Sequence, residues 1–251
     1  MTQATQLTDD RDFLVATAHG AHACFTARAG GVSAAPYDSL NLGPWTSDDP
    51  QAIAENRRRV EARTEDGGGA ARRLVLGKQV HETAVAVHLE GLGDPDIEGV
   101  DGHVTNRTDI ALGVLTADCV PVLLLAPWAV GAAHAGWRGL AGGIVAQATD
   151  DLLTLPGATD LSDVAAFVGP CAGPCCYEVG EEVHTSFAGW PQGRAQNGTI
   201  DLPLMAEAAL KAAGVGEVVL ADRCTICDPR YFSHRASGGK TGRQAGVVWR
   251  G

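Results

Sequence analysis

Residues 111–126, ALGVLTADCVPVLLLA, are the most informative stretch of the sequence, because two apolar runs flank a short polar connection. The runs, 111–116 and 120–126, are rich in Val and Leu and typical of buried strands. Asp118 and Cys119 lie in the connection between them. Since burying a carboxylate is costly unless it is paired, we expect Asp118 to have a specific task at this position.

Segments on both sides of this stretch predict further strands and helices. A helix over 49–63 has Pro50 in its first turn, and another begins at the N-cap residue Asp201. Because strands and helices intermix without strict alternation, we predict an α+β fold. It forms a single domain over residues 1–251, with mixed β-sheets flanked by helices and a flexible amino-terminus at 1–12. Further strands are predicted at 74–76, 83–88, 128–134, 163–169 and 217–222, and a further helix at 140–153.

The composition narrows the classes of partner. The 251 residues include 30 Asp and Glu against 19 Lys and Arg, a formal net charge of −11. This acidic balance argues against nucleic acid or an anionic membrane as the main partner. The start lacks the basic and apolar regions of a signal peptide, and the uncharged stretch 120–133 is shorter than the ~20 residues of a spanning helix. We therefore expect a soluble, cytoplasmic protein without a disulfide framework, since its seven cysteines are an odd count.

Three segments each place a metal-ligand side chain beside a predicted buried strand, and they carry His81, Cys119 and His134. Two imidazoles and one thiolate are a known ligand set for catalytic zinc, with a fourth position open to water or substrate. The long spacing along the chain fits a catalytic site better than a zinc finger. The alternative is that each histidine is an ordinary hydrogen-bonded residue of the core or its rim.

The surroundings of these residues suggest further roles. Arg138 follows His134 at a predicted strand-to-helix turn, where a planar cation and helix amides could bind phosphate or carboxylate. The alternative for Arg138 is an ion pair with a surface carboxylate. Asp118 could orient a metal-bound histidine or move a proton, or it could cap nearby backbone amides.

A second group of cysteines lies downstream. Cys224 and Cys227 have the spacing of a zinc knuckle, so a four-cysteine site is formally possible. Cys175 and Cys176 are adjacent, however, which is awkward for two ligands of one tetrahedral ion. We therefore favour small buried thiols over a second metal for this group, which also contains Cys171.

A series of short motifs follow one another from Phe25 to Trp249. They are FTARAGGVS (25–33), SLNLG (39–43), KQVH (78–81), TADCVP (116–121), AHAGWRG (133–139), GPC (169–171), CCYEV (175–179) and FSHR (232–235) with TGR (241–243). In sequence and order these motifs resemble those of the YfiH family. Its members are also called laccase-domain proteins, multicopper polyphenol oxidases and peptidoglycan editing factors.

The resemblance implies a fold and an activity. The implied fold is cysteine-hydrolase-like, and the family's zinc ligands correspond to His81, Cys119 and His134. The implied activity is purine nucleoside phosphorylase on adenosine, inosine, guanosine and methylthioadenosine, with adenosine deaminase activity in addition. The expected partners are thus a small nucleoside and phosphate. On this reading Arg28 and Asn41, in the glycine-rich amino-terminal motifs, could line the substrate pocket.

Three other functions are compatible with the same motifs. Polyphenol oxidation needs many histidines, commonly in His-x-His pairs, and this chain has 8 His and no such pair, so zinc is preferred over copper. A peptidoglycan-precursor hydrolase would use Cys119 as nucleophile with His134 or His81 as base. A metal-binding accessory factor for the cell wall would have no catalytic step.

Overall fold

The computed structural model describes residues 6–10, 13–65, 70–89, 96–190 and 198–251. These residues form two mixed sheets with helices on the outer faces. In chain order the strands are β1 (Thr8–Asp10), β2 (Phe13–Ala18), β3 (Ala21–Thr26), β4 (Arg73–Lys78), β5 (Val85–His88), β6 (Asp96–Glu98), β7 (Gly102–Thr105), β8 (Ile110–Thr116), β9 (Val120–Leu125), β10 (Val130–Ala135), β11 (Ala165–Val168), β12 (Glu217–Leu220) and β13 (Gln244–Arg250). The α-helices are α1 (Pro50–Glu61), α2 (Trp137–Gly142), α3 (Ile144–Leu153), α4 (Glu181–Ser186) and α5 (Leu202–Ala213).

The informative stretch 111–126 passes from one sheet to the other. Strand β8 is in the seven-stranded sheet, whose order is β1-β2-β3-β13-β8-β4-β6. Strand β9 is in the six-stranded sheet, whose order is β12-β11-β9-β10-β7-β5. Asp118 and Cys119 therefore lie at the crossing between the two sheets.

Both crossing strands are buried on both faces, which explains their continuous apolar sequence. Leu112 of β8 and Leu123 of β9 belong to the core between the sheets. Leu115 faces an outer cluster with Val60 of α1, and Leu124 faces one with helices α3 and α5. The layers are therefore helix α1, the seven-stranded sheet, the six-stranded sheet, and helices α3 and α5. The predicted α+β fold with mixed sheets is confirmed.

Most predicted elements occur, with one correction. The predicted helix over 140–153 is two helices, because Gly143 adopts a left-handed conformation (φ 96°) between α2 and α3. The flexible amino-terminus at 1–12 stays a prediction: within it Thr8–Asp10 pair with β2, and residues 1–5 and 11–12 lie outside the described residues. Among the described residues, no helix is long and apolar enough to cross a membrane.

Candidate metal centre

The structure brings the three predicted metal ligands together. His81 follows β4, Cys119 lies between β8 and β9, and His134 is near the end of β10. One ligand atom of each lies within 4.8 Å of the other two, and Cys119 Sγ is 3.8 Å from His81 Nε2. The imidazole rings of His81 and His134 meet edge to face, 4.9 Å between centroids. The three donors thus converge on one point from three separate segments.

Two of these segments have an unusual backbone conformation. His81 (φ 65°) and Asp118 (φ 98°) are left-handed, a conformation that costs about 1–3 kcal/mol for a non-glycine residue unless its surroundings impose it. The side chain of Gln79 exchanges two hydrogen bonds of 2.7 Å with the backbone of Leu115, which fixes the His81 segment to β8. The backbone is therefore shaped to present these side chains.

Asp101 organises the centre, and the sequence reasoning missed it. Its fully buried carboxylate accepts hydrogen bonds from the amides of Val80, His81 and Glu82 at 2.9–3.0 Å. Its Oδ1 also lies 2.8 Å from Nδ1 of His134. A carboxylate on one imidazole nitrogen fixes the ring and leaves Nε2 as the metal-binding atom. A signal was available in the sequence, since Asp101 directly precedes the buried strand β7.

The electrostatics of the centre favour the ligand form of the thiol. Loss of hydration raises the pKa of Cys119, but the charge of His134 and hydrogen bonds from both imidazoles outweigh it and lower this pKa to about 6. Burial lowers the pKa of His134, whereas the Cys119 thiolate and Asp101 raise it, to about 9. The lowered pKa favours the thiolate form of Cys119, and the thiolate is the species that binds metals.

These residues fit a zinc ion. Zinc in catalytic sites takes three protein ligands from His, Cys and carboxylates, and the donor set here is two nitrogens and one sulfur. Gly136 provides room, because a Cβ atom at this position would lie 2.8 Å from Cδ2 of His81 and 3.3 Å from Sγ of Cys119. The carboxylate of Asp101 behind His134 completes the usual support of such a site.

The centre opens into a cavity of about 530 Å³, which suits a small molecule. Aromatic and cationic side chains share its wall. The aromatic residues are Trp45, Trp137 and Tyr177, and the cationic ones are Lys78, Arg138, Arg235 and Arg243. A cluster of four cations in a chain of net charge −11 indicates an anionic ligand.

Arg243 is the cation best placed for such a ligand. It is largely buried, and its Nη1 donates to the carbonyls of Thr241 and Gly242. Among the described residues, no ion pair includes Arg243. Burial lowers its pKa, while the negative charges of Cys119 and Asp118 oppose the shift. The TGR motif contained this residue, but nothing in its spacing indicated the cavity.

The contacts of Asp118 match the third predicted role, in which its carboxylate caps nearby backbone amides. Its Oδ1 accepts from the hydroxyl of Thr225 at 2.7 Å and its Oδ2 from the amide of Arg235 at 2.8 Å. Its backbone carbonyl accepts from the amide of Ala172 at 2.8 Å. Among the hydrogen bonds of the described residues none joins it to a histidine, so the orienting role belongs to Asp101. Asp118 instead ties the crossing between the sheets to two other loops.

Arg138 lines the cavity and also has the surface ion pair considered as its alternative. Its guanidinium lies 3.3 Å from Glu182, with the two side chains 59% and 72% exposed. It also stacks over the ring of Trp137 at 4.0 Å. The helix α2 that begins beside it has only six residues. The predicted anion site therefore depends on the side chain of Arg138 rather than on the helix.

The two expected substrate-binding residues are not in the wall of this cavity. Arg28 forms an ion pair with Asp38 and lines a separate cavity. Asn41 is fully buried, and its Oδ1 accepts from the amide of Arg243 at 2.9 Å. Their role in substrate binding stays a prediction, and Asn41 contacts the cavity wall indirectly, through Gly43, Thr46 and Arg243.

The second cysteine group differs from the buried thiols that were favoured. Cys171 is buried, but Cys175 and Cys227 are exposed and Cys224 is only half-buried. None of the group lines the cavity at the metal centre. Small core thiols therefore do not describe this group.

Comparison with known proteins gives the family. The family model described as multi-copper polyphenol oxidoreductase laccase matches residues 22–251. Purine nucleoside phosphorylase ORF3 of Streptomyces griseus is 42% identical over 237 residues, which cover 91% of this chain and 94% of that protein. A purine nucleoside phosphorylase of Deinococcus radiodurans is 38% identical over 231 residues, covering 89% of this chain and 87% of that protein.

Solved structures show the same fold. YfiH from Bacillus licheniformis superposes with a TM-score of 0.86 at 30% identity, covering 97% of this chain and 98% of that one. YlmD from Geobacillus stearothermophilus gives 0.83 at 32% identity, with coverage of 97% and 98%. With sequence and fold matched along almost the whole chain, this protein belongs to the laccase-like YfiH family.

Proposed function

We propose that this chain is a zinc-dependent purine nucleoside phosphorylase. The observation that carries the proposal is the three-ligand centre of His81, Cys119 and His134 at the base of a cavity with cationic and aromatic walls. Relatives about 40% identical to the chain bear the name purine nucleoside phosphorylase, which supports this activity. The substrates proposed are adenosine, inosine, guanosine and methylthioadenosine.

The ligand residues hold the centre in one arrangement. His134 presents Nε2 because Asp101 occupies Nδ1, and Cys119 contributes the thiolate. Zinc bound by these residues would supply a Lewis acid next to phosphate or water. Cys119 therefore acts as a ligand of the metal. Asp118 acts as a positioning residue for the neighbouring Cys119, because its hydrogen bond with Thr225 fixes this segment.

The cationic side chains of the cavity wall would bind the phosphate. In phosphorolysis a phosphate oxygen bonds to C1′ of the ribose while the bond from C1′ to the purine nitrogen breaks. Arg243 has no carboxylate among its partners in the described part of the chain, so its guanidinium is available to hold the phosphate oxygens. Arg138 can add to this, because its exposed pair with Glu182 is weak and can exchange for a phosphate.

The aromatic wall suits the purine. Trp45 is 44% exposed at the cavity, where a purine ring can stack on it. Tyr177 lies under the guanidinium of Arg235 at 4.8 Å, which holds the phenol ring in place. Stacking is tolerant of the base, so several purine nucleosides can be accommodated. The same cavity would serve adenosine deamination, in which water adds to C6 and ammonia leaves.

A second candidate rests on the charged pair of Cys119 and His134. A thiolate stabilised by an imidazolium is also the arrangement of a cysteine nucleophile, and it fits a hydrolase acting on a peptidoglycan precursor. A thiolate committed to zinc is not free to attack. Full activity in metal-free protein, abolished by thiol alkylation, would favour the hydrolase.

The test of the proposed function is the identity of the products. Purified protein is incubated with adenosine, with and without phosphate, and the mixture is resolved by chromatography. We expect adenine and ribose 1-phosphate only when phosphate is present. Unchanged adenosine in both mixtures would reject the proposal, and serine-containing muropeptide precursors would then test the hydrolase.

A further inference from the structure

Four cysteines outside the metal centre gather at a second place. Cys175 and Cys176 lie in the loop after β11, and Cys224 and Cys227 lie in the loop after β12. Their sulfur atoms are all within 4.8 Å of one another. Burial does not account for this gathering, because Cys175 and Cys227 are exposed. Four thiols from two loops that share neither a core nor the catalytic cavity call for a common ligand.

The spacing of the sulfurs suits one metal ion. Sγ of Cys175 and Sγ of Cys227 are 3.8 Å apart. A tetrahedral zinc ion with bonds of about 2.3 Å to sulfur holds its sulfurs about 3.8 Å from one another. A disulfide would need a separation of about 2.05 Å. The observed distance therefore matches a shared metal rather than a covalent bond.

Backbone amides surround the sulfur of Cys224 and favour its role as a metal ligand. Sγ of Cys224 accepts a hydrogen bond from the amide of Gly173 at 3.3 Å, and the nearby amides of Ile226 and Cys227 also favour the negative charge on this sulfur. The thiolate is the form in which cysteine binds metals. Contacts from both loops thus meet on a single ligand atom.

The adjacent residues Cys175 and Cys176 lie in a tight turn of the loop after β11. The amides of Cys176 and Tyr177 both donate to the carbonyl of Gly173, at 3.1 and 3.0 Å. This tight turn brings the sulfurs of Cys175 and Cys176 to the same side as the pair Cys224 and Cys227. The objection from sequence spacing, that adjacent cysteines are awkward as two ligands of one tetrahedral ion, is answered by the position of the sulfurs.

We propose that Cys175, Cys176, Cys224 and Cys227 bind a structural zinc ion, separate from the centre at His81, Cys119 and His134. Four thiolates close the coordination shell, so this ion has no position open for substrate.

The proposed ion has a structural role. The ion joins two loops whose neighbouring residues support the metal centre, since the hydroxyl of Thr225 and the amide of Ala172 both donate to Asp118. The second zinc therefore fixes the crossing between the sheets through these two loops. This role does not depend on the nature of the reaction.

The first test counts zinc in protein purified under reducing conditions. We expect about two zinc ions per chain in the wild type and about one in the double variant Cys224→Ser/Cys227→Ser. Cys119→Ala should keep about one, and Cys24→Ala, a buried cysteine outside both clusters, should keep about two. A wild type with about one zinc that Cys119→Ala loses entirely would overturn the proposal. So would a disulfide within the four cysteines of the reduced preparation.

The second test needs no variant of the cluster. Wild-type and Cys119→Ala proteins are depleted of metal and titrated with Co²⁺, and thiolate-to-cobalt charge-transfer absorption is recorded. We expect Cys119→Ala to keep an intense band, because four thiolates remain around one ion. In zinc-loaded wild type, alkylation followed by mass spectrometry should leave these four cysteines unmodified until a chelator is added. Absence of the band in Cys119→Ala, or immediate alkylation of all four, would contradict the site.

Discussion

Oδ1 of Asp101 lies 2.8 Å from Nδ1 of His134, and both side chains are buried. The same carboxylate accepts the amides on either side of His81. Burial raises the pKa of Asp101, but the bond to His134 and the amides of Glu82 and Val80 outweigh it, so the net shift is downward. One ionised side chain therefore orients two of the three proposed metal ligands.

Replacing Asp101 should weaken metal binding more than it disturbs the fold. Asp101→Asn removes the negative charge and leaves an amide group facing backbone amides. Losing such a supporting carboxylate typically lowers metal affinity about 10–100-fold. Competition with a chromophoric chelator measures this, with Asp109→Asn, an exposed carboxylate paired with Arg107, as the matched control. Equal zinc affinity in Asp101→Asn and wild type would refute the role of Asp101.

Gly136 should tolerate no side chain while zinc is bound. A Cβ atom there would come within 2.8 Å of the His81 ring. Gly136→Ala should therefore lose zinc and activity, and circular dichroism should show the wild-type secondary structure. Gly180→Ala is the control, because nothing lies within 4 Å of a Cβ atom at that position. If Gly136→Ala binds zinc as tightly as Gly180→Ala, the crowded arrangement is wrong.

Arg243 should govern the affinity for phosphate. A hydrogen bond to a charged group contributes about 1.5–3 kcal/mol, so Arg243→Ala should raise the KM for phosphate about 10-fold or more. The KM for adenosine should change much less. Steady-state kinetics with each substrate varied in turn separates the two, and Arg58→Ala, an exposed residue of α1, serves as control. A rise confined to the KM for adenosine would place the phosphate elsewhere.

The metal centre could be predicted from the sequence because its ligands lie beside strands with clear apolar patterns. His81, Cys119 and His134 each follow or end such a strand, and the polar break in 111–126 placed Asp118 and Cys119 between two buried strands. Asp101 was missed although it directly precedes the buried strand β7, since the local sequence does not show that it contacts His134 and backbone amides about twenty residues away. Arg243 was missed for the same reason, because only the tertiary fold brings it to the cavity.

The same limit applies to Arg28 and Asn41, which do not line the cavity at the metal centre. Both lie in glycine-rich motifs, and a motif does not distinguish a side chain that touches substrate from one that holds the loop. For the second cysteine group the signals in the sequence conflict, because Cys224 and Cys227 have the spacing of a zinc knuckle and Cys175 and Cys176 are adjacent. A turn at Gly173 and the position of the four sulfurs show how the adjacent pair can share one ion.

Asn41 should matter for stability rather than for substrate contact. Its side chain is fully buried and makes four hydrogen bonds, to Thr46, Asp48, Gly43 and Arg243. At about 1 kcal/mol each, Asn41→Ala should lower the free energy of unfolding by about 4 kcal/mol. Urea denaturation measures this, with Gln51→Ala on the exposed side of α1 as the control. A loss no larger than that of Gln51→Ala would show that the network contributes nothing.

The central claim is that His81, Cys119 and His134 bind the zinc on which phosphorolysis depends. It is tested most directly by measuring phosphate-dependent adenine release and zinc content on the same samples of wild type, Cys119→Ala and Cys24→Ala. We predict that Cys119→Ala loses one zinc ion and nearly all activity, and that chelated wild type recovers activity on addition of zinc. Cys24→Ala should keep both properties. Full adenine release by Cys119→Ala, or by wild type freed of zinc, would contradict the account.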